Sequence, residues 1–355
     1  MATEMGRRGF QSSLYSLEEA GGGITPEEAC YRYPWPRSPV RRRLHFHHHH
    51  EPLARSLRSW IEGQRPDLIH VQNWGVFRST VFPVLAEAPC PVVMTVHDFT
   101  LLDPNPWGLD RSGLSGPLRS WLDRRSLATA RRAVFSAVDR FLCPSAALRD
   151  QIPFPEGRAR LLRLPIEPAD APPFPSGAIR LLFAGTLYQS KGVDLLIRAL
   201  ALGPGDIRLE IAGQGDQRRA LEELAAELGI ADRVGFLGQL DAEGMDGAYR
   251  RASLVVLPSR VAENSPLVLL EAGARGRPSL ASDTGGPPEL LEPPERGWCF
   301  RSEDPADLAR ILEQAAASPA ELARRGSAMR DWVQRNCDPV AHWDAVEAVY
   351  QEITA

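Results

Sequence analysis

The sequence predicts an α/β protein made of two doubly wound parallel-sheet domains, and three observations carry that expectation. From residue 179 onward, short apolar runs alternate with helical patterns, as they do in chains of βαβ units. The runs LVVL and RLLFA lack polar alternation, which is how strands read when helices cover both faces of a sheet. A second series of such units precedes the proline-dense stretch PIEPADAPPFPSG at 165–177, and this stretch reads as a linker. The expected organisation is a first domain at 1–165, a linker at 166–178, a second domain at 179–338, and a last helix at 339–355 that returns to brace the first domain.

In the first domain the apolar runs place strands at Asp67–Gln72, Pro91–Val96, Phe141–Pro144 and Leu161–Leu164. The first fifty residues show no convincing strand, and the segment SLYSLEEA before Gly21, Gly22 and Gly23 reads as helix or coil. That makes the glycine run a poor phosphate loop and leaves the domain short of an opening βαβ unit. In the second domain strands are expected at Ile179–Ala184, Ile207–Ala212, Arg233–Leu237, Leu254–Pro258 and Pro278–Ser282, with helices at 216–228, 243–252 and 266–275. Beyond residue 304 the pattern is helical to the end.

A length of 355 residues with 43% hydrophobic content supplies two cores of ordinary size. A net charge of -4 gives no overall pull toward nucleic acid. The five cysteines, Cys30, Cys90, Cys143, Cys299 and Cys337, are scattered and never in CxxC spacing, which fits a reducing, cytoplasmic setting. No apolar run reaches the length of a membrane span, and no charged-then-apolar leader opens the chain.

Positive charge is supplied by 41 Lys and Arg residues, of which only Lys191 is a lysine. It stands in LLFAGTLYQSKGVDLLIRAL, after a strand, a glycine turn at Gly185 and Thr186, and just before a helix whose Val193, Leu196, Ile197 and Leu200 follow the spacing of one buried face. A compact ammonium at a helix start suits a phosphate oxygen. The glycines form neither a Walker A loop nor a GxGxxG fingerprint. The sharpest constellation is PSRVAENSPLVLLEAGARGRP, which holds Glu263 and Glu271 with seven residues between them. Ser265 is expected to cap a helix with Pro266 at its first position. Glu271 then lies roughly 9 Å along that helix at 1.5 Å per residue, so the two carboxylates can hold the two ends of an extended nucleotide sugar.

With the turn Gly213-Gln214-Gly215, the segments FAGTLYQSKGVDLLIRA, IAGQGD, VGFLG and ENSPLVLLEAGARGRPSLASDTGGPPEL resemble glycosyltransferase family 4, the retaining, nucleotide-sugar-dependent glycosyltransferases. The resemblance is specific over 179–300 and looser over 66–178. It implies the GT-B architecture, two Rossmann-like domains with the donor in the cleft between them, and catalysis without a metal or a cofactor beyond the donor itself. By position it implies that Lys191 binds the donor diphosphate, that Glu263 faces the transferred sugar, and that Glu271 holds the ribose. Gly185, Thr186, Gly213, Asn264, Ser265, Pro266 and Leu267 then line the donor, and the backbone at Gly238 and Gln239 lies near the base. His97 in TVHDF, with Asp98 beside it, matches the histidine that approaches the donor sugar from the first domain, although a histidine at a strand end also reads as a satisfied structural residue.

Two departures from the family stand out. Thr186 replaces the arginine that many members carry after the glycine. The family's opening strand and glycine-rich loop have no visible counterpart, which keeps open a non-catalytic nucleotide-sugar-binding protein as an alternative. A glycan, a lipid-linked sugar or a small molecule would serve as acceptor. Two weaker signals remain. The run of His45 and His47 to His50 reads as a solvated low-complexity stretch. The arginine-rich segment 117–135 reads as a solvated helix face, with peripheral contact to an anionic membrane as the alternative.

Overall fold

The computed structural model describes residues 1–19, 28–33, 50–72, 78–102 and 117–355. The glycine run at 21–23 and His45, His47, His48 and His49 lie outside these residues. The first domain contains a four-stranded parallel sheet whose strands run in spatial order β3 (Ile69–Val71), β4 (Val92–Thr95), β5 (Arg140–Cys143) and β6 (Ala159–Leu161). Helices α2 (Glu51–Gln64), α3 (Arg78–Ala86), α4 (Pro117–Ala137) and α5 (Ala146–Gln151) connect the strands or flank them. The α2 register follows directly from its sequence. Leu53, Ala54, Leu57 and Ile61 fall on one face and are buried, and the His50 ring caps the helix by accepting from Leu53 N at 3.1 Å.

The expectation of no strand in the first fifty residues is corrected. Helix α1 (Ala2–Arg7) is followed by β1 (Leu14–Glu19) and β2 (Glu28–Tyr33), which pair in parallel from Leu14 opposite Glu28 to Glu19 opposite Tyr33. The leucines and glutamates of SLYSLEE favour helix in isolation, and partner strands override such weak local preferences. Tyr15 anchors β1 on α2 by a hydroxyl contact with Ser56 at 3.0 Å and a tilted ring contact with Trp60. Among the described residues this pair joins no strand of the four-stranded sheet.

The second domain is a six-stranded parallel sheet in the order β12-β11-β10-β7-β8-β9. Its strands are β7 (Arg180–Ala184), β8 (Arg208–Ala212), β9 (Val234–Gly238), β10 (Leu254–Leu257), β11 (Ser279–Ser282) and β12 (Gly297–Phe300). Chain order runs outward from β7 to β9, then returns to the other side of β7 and runs outward again to β12. The sheet is therefore doubly wound, with its switch point between β7 and β10, where a crevice opens at the carboxyl ends of the strands. Helices α6 (Val193–Leu202), α7 (Arg218–Glu227), α8 (Ala242–Arg251), α9 (Leu267–Ala274), α10 (Pro287–Leu291), α11 (Pro305–Ala316) and α12 (Pro319–Asn336) pack around it. The β7 side chains Leu181, Leu182 and Phe183 are all buried on both faces, which explains the uninterrupted apolar run.

Helix α13 (Pro339–Thr354) leaves the second domain and lies on the first. Its Val346, Val349 and Tyr350 share one buried cluster with Met5 of α1 and with Val93 and Leu142 of the first sheet. Arg140 and Arg160 hold its Glu352 at 2.8 and 2.5 Å. The linker carries no regular element, and Ile166 N donates to Cys337 O at 2.9 Å, just before α13 begins. Among the described residues no helix is long and apolar enough to cross a membrane.

Candidate functional site

The site grows from the loops at the switch point. After β7 the chain turns at Gly185 and Thr186, both exposed, makes a 3₁₀ turn at Gln189–Lys191, and enters α6 through Gly192. Gly192 has φ +66° and lies so close to the next strand end that a Cβ would meet Pro258 O at 2.0 Å. Only glycine fits there, and the fit fixes Lys191 beside the loop after β10. From that loop Glu263 accepts from Lys191 Nζ at 2.7 Å and from Ser259 Oγ at 2.6 Å on the same Oε1. Both side chains of the ion pair are mostly buried, with the lysine 27% and the glutamate 16% exposed. The backbone of Glu263 bridges in parallel to Gly285 and accepts from Gly286 N at 2.7 Å, so the carboxylate stands on a fixed frame. An ion pair held this way is a charge reservoir: an incoming anion can take the ammonium from the carboxylate.

The neighbouring strand ends close the floor. Gly213 N donates to Gly238 O at 2.7 Å, and a Cβ on Gly213 would meet Gly185 O at 1.8 Å. The three loops after β7, β8 and β9 are thus pressed edge to edge, with Gln239 exposed at the end of the row.

Helix α9 begins at Leu267, one residue later than expected, with Pro266 as its cap residue at ψ 114° and no side-chain cap bond. The expectation that Ser265 caps this helix is therefore corrected. Its Oγ is buried and, among the described residues, has no hydrogen-bond partner. Leu267 is half exposed at the start of the helix. One turn on, Glu271 accepts from Tyr249 Oη at 2.8 Å. Tyr249 belongs to α8, is 1% exposed, and has its hydroxyl pKa pushed up by burial and then by the Glu271 charge. Arg275 lies over the tyrosine ring at 5.0 Å and binds Asp246 at 2.8 Å. The rigid phenol aims one carboxylate oxygen and leaves the other for a ligand. Tyr249→Phe removes that aiming bond without emptying the core, and a bond of about 1.4 kcal/mol corresponds to roughly tenfold in affinity. Nucleoside-diphosphate affinity measured by calorimetry is expected to fall by about that factor, while that of inorganic diphosphate stays level.

The first domain meets this site through Asn264. Its amide nitrogen donates to Val96 O and to His97 O, each at 3.1 Å, and its oxygen accepts from Ser145 Oγ at 2.5 Å. Asn264 is expected along the donor, but its side chain is committed to the domain interface. A second clasp lies beside it: Ala146 N and Ala147 N of α5 donate to the two oxygens of Glu289 at 3.1 and 2.9 Å, and Arg163 pairs with the same carboxylate. Sequence reasoning missed both clasps and Tyr249. The serine that caps α5 and the first-turn glutamate of α10 look like ordinary helix-start residues until the domains are brought together.

His97 is exposed at the end of β4 and held next to Asn264 by its own carbonyl. Its Nε2 meets Gln72 Oε1 at 3.0 Å. Partial burial among the strand ends lowers its pKa, against a smaller opposing pull from Asp98, so the ring is neutral near pH 7. Asp98 itself turns away and caps the next turn by accepting from Thr100 N at 2.9 Å. The structure therefore gathers Lys191, Glu263, Asn264 and His97 into one locus at the switch point, with Glu271 one turn into α9.

Comparison with known proteins agrees with this architecture. The family model for glycosyl transferases group 1 matches residues 168–332, and that for glycosyltransferase family 4 matches residues 1–163. A glycogen synthase of Mycobacterium tuberculosis is 30% identical over 319 residues, covering 83% of this chain and 69% of that protein. A D-inositol 3-phosphate glycosyltransferase of Streptomyces scabiei is 36% identical over 166 residues, 43% of this chain, and the match spans 37% of that relative's length. Among solved structures, sucrose-phosphate synthase from Thermosynechococcus elongatus superposes with a TM-score of 0.78 at 21% identity, covering 98% of this chain and 90% of that one. Anabaena HepE in complex with UDP superposes with a TM-score of 0.71 at 17% identity, covering 96% of this chain and all of the other. With both halves matched by family models and the two-domain fold shared, the chain belongs to the glycosyltransferase family 4 proteins of GT-B architecture.

Proposed function

We propose that the protein transfers a sugar from a nucleoside-diphosphate donor to a hydroxyl of a glycan, lipid-linked or small-molecule acceptor, with retention of anomeric configuration and without a metal. The observation that carries this reading is the Lys191–Glu263 pair at the switch point, tied through Asn264 to the first domain at His97. In this reading the donor diphosphate takes the Lys191 ammonium from Glu263. The freed carboxylate then faces the sugar, and Glu271, aimed by Tyr249, binds the ribose. As the bond between anomeric carbon and phosphate breaks, negative charge grows on the leaving diphosphate. The ammonium, already in place, stabilises that charge at no reorganisation cost. The acceptor hydroxyl attacks the face that the diphosphate leaves, and His97 holds a sugar hydroxyl from the opposite wall. Thr186 stands where many relatives have a second cation, so the charge rests on Lys191 more heavily here.

The base contacts in this reading are backbone groups around Gly238 and Gln239, which do not name the base. HepE has been solved with UDP and with UDP-glucose, so uridine donors are the first to try. The work of such an enzyme would lie in the cytoplasm, with peripheral membrane contact where the acceptor is lipid-linked. Calorimetric titration with UDP, GDP, ADP and their common sugar conjugates tests the proposal. Binding of one nucleotide family, lost in Glu271→Ala, is expected; failure to bind any of them would sink the reading.

A further inference from the structure

A chain of side-chain hydrogen bonds runs from the last helix to His97. Tyr350 Oη of α13 lies 2.5 Å from His70 Nδ1, with the two rings edge to face at 5.6 Å. On the other side of that ring, His70 Nε2 lies 2.8 Å from Thr95 Oγ1 and 2.9 Å from Gln72 Nε2. Gln72 Oε1 then meets His97 Nε2 at 3.0 Å.

The proton positions follow from what each atom is able to do. The Gln72 amide nitrogen only donates, and its two protons match its two nearest partners, His70 Nε2 at 2.9 Å and Met1 Sδ at 3.0 Å, with the Thr95 hydroxyl farther off at 3.4 Å. His70 Nε2 therefore accepts. Protein surrounds most of the His70 ring, and this desolvation pushes its pKa down to about 3, so the ring is neutral and carries its proton on Nδ1. That proton goes to Tyr350 Oη. The same amide orientation turns Gln72 Oε1, which only accepts, toward His97. His97 must then carry its proton on Nε2 and keep a lone pair on Nδ1. Among the described residues Nδ1 has no hydrogen-bond partner, and the residue is exposed at the cleft wall. Reversing the amide would reverse every joint, since Tyr350 would donate to His70 and His97 Nε2 would lose its proton. The chain has one polarity or the other as a unit.

We propose that Tyr350, His70 and Gln72 are positioning residues that lock His97 in its Nε2–H tautomer, so that Nδ1 is presented to the cleft as a hydrogen-bond acceptor for a donor-sugar hydroxyl. The tautomer rests on these contacts, on the amide orientation of Gln72 and on a neutral His70 ring, and only the sugar hydroxyl rests on the transferase reading above. The arrangement makes the last helix part of the site. Its tyrosine sets the proton on a histidine that it never touches.

Long-range nitrogen–proton correlation spectra of the full chain, labelled with ¹⁵N at histidine, read the tautomer directly. The expected result is a pyrrole-like Nε2 and a pyridine-like Nδ1 for His97. In Gln72→Leu both signals are expected to shift toward the averaged position of an unbiased imidazole. In Tyr350→Phe, which keeps the ring and the packing, they are expected to shift part of the way. A pyridine-like Nε2 in the wild type would overturn the proposal, and so would His97 nitrogens unmoved in both variants. If Gln72→Leu does not fold, the wild-type spectrum and Tyr350→Phe decide. Adding the glucose conjugates of UDP, GDP and ADP in turn then separates the two readings: an Nε2–H tautomer whose Nδ1 ignores all of them supports the lock and removes the sugar contact.

Discussion

Replacing Lys191 by alanine is expected to lower sugar-transfer turnover about 100-fold to 1000-fold, the loss that follows removal of one preorganised partner of developing charge. Two effects add. In the proposed mechanism the leaving diphosphate loses its cation, and Thr186 offers no second charge. In addition, Glu263 loses the ammonium at 2.7 Å and keeps Ser259 as its side-chain partner among the described residues, so in the proposed complex a carboxylate that is 16% exposed faces the diphosphate unneutralised. The second effect makes a sharp test. UDP affinity should be lower in Lys191→Ala than in the double variant Lys191→Ala/Glu263→Gln, because the amide removes the repulsion and keeps the shape. Equal affinities would mean that Glu263 does not feel the diphosphate, and near-normal turnover in Lys191→Ala would remove the phosphate role altogether. Lys191→Arg is expected to recover only part of the loss, because the planar guanidinium is broader and demands a fork of acceptors where a point charge now sits.

What the sequence made legible was whatever one strand and its following turn decide. The uninterrupted run RLLFA announces a strand covered on both faces, and the five residues after Gly185 lead to a lysine at a helix start. Both features are local, and the structure places them at the carboxyl edge of the sheet. The same locality made Glu263 and Glu271 readable as a pair on one loop and one helix. Legibility failed where the partner lies far away in sequence. Lys191 is paired with Glu263 across 72 positions, and Tyr350 reaches His70 across 280, so neither contact leaves a trace in local pattern. Tyr249 looks like any apolar helix residue until α8 packs against α9 and brings its hydroxyl to Glu271. The failures at Ser265 and at β1 are of another kind. A one-residue shift in the start of α9 takes the serine out of capping range, and the helix-favouring SLYSLEE is held extended by a partner strand that local propensity does not see.

Asn264→Ala is the second large effect expected, and it bears on how the two domains come to face one another. The carboxamide is 7% exposed and makes three bonds across the interface, two as donor and one as acceptor. Truncation leaves Val96 O and His97 O without that donor in a nearly dry site, and an unsatisfied buried polar group costs about 1–3 kcal/mol. Ser145 suffers less, because its Oγ still accepts from Leu148 N at 3.1 Å and caps α5. The Glu289 clasp, with its two backbone donors and Arg163, remains, so the domains should stay associated but lose their fixed angle. Thermal unfolding should show the lost stability, and small-angle scattering should show a larger radius of gyration. Both changes matter for chemistry, because the His97 carbonyl is one of the two that Asn264 holds, and the ring on that residue faces the cleft. Asn264→Asp should be worse than alanine, since it keeps the shape but points a carboxylate at two carbonyl oxygens. Aspartate tolerated with unchanged unfolding and unchanged scattering would mean that the interface is open in solution, and the closed arrangement of Glu263 and His97 would then have to be made by the ligand.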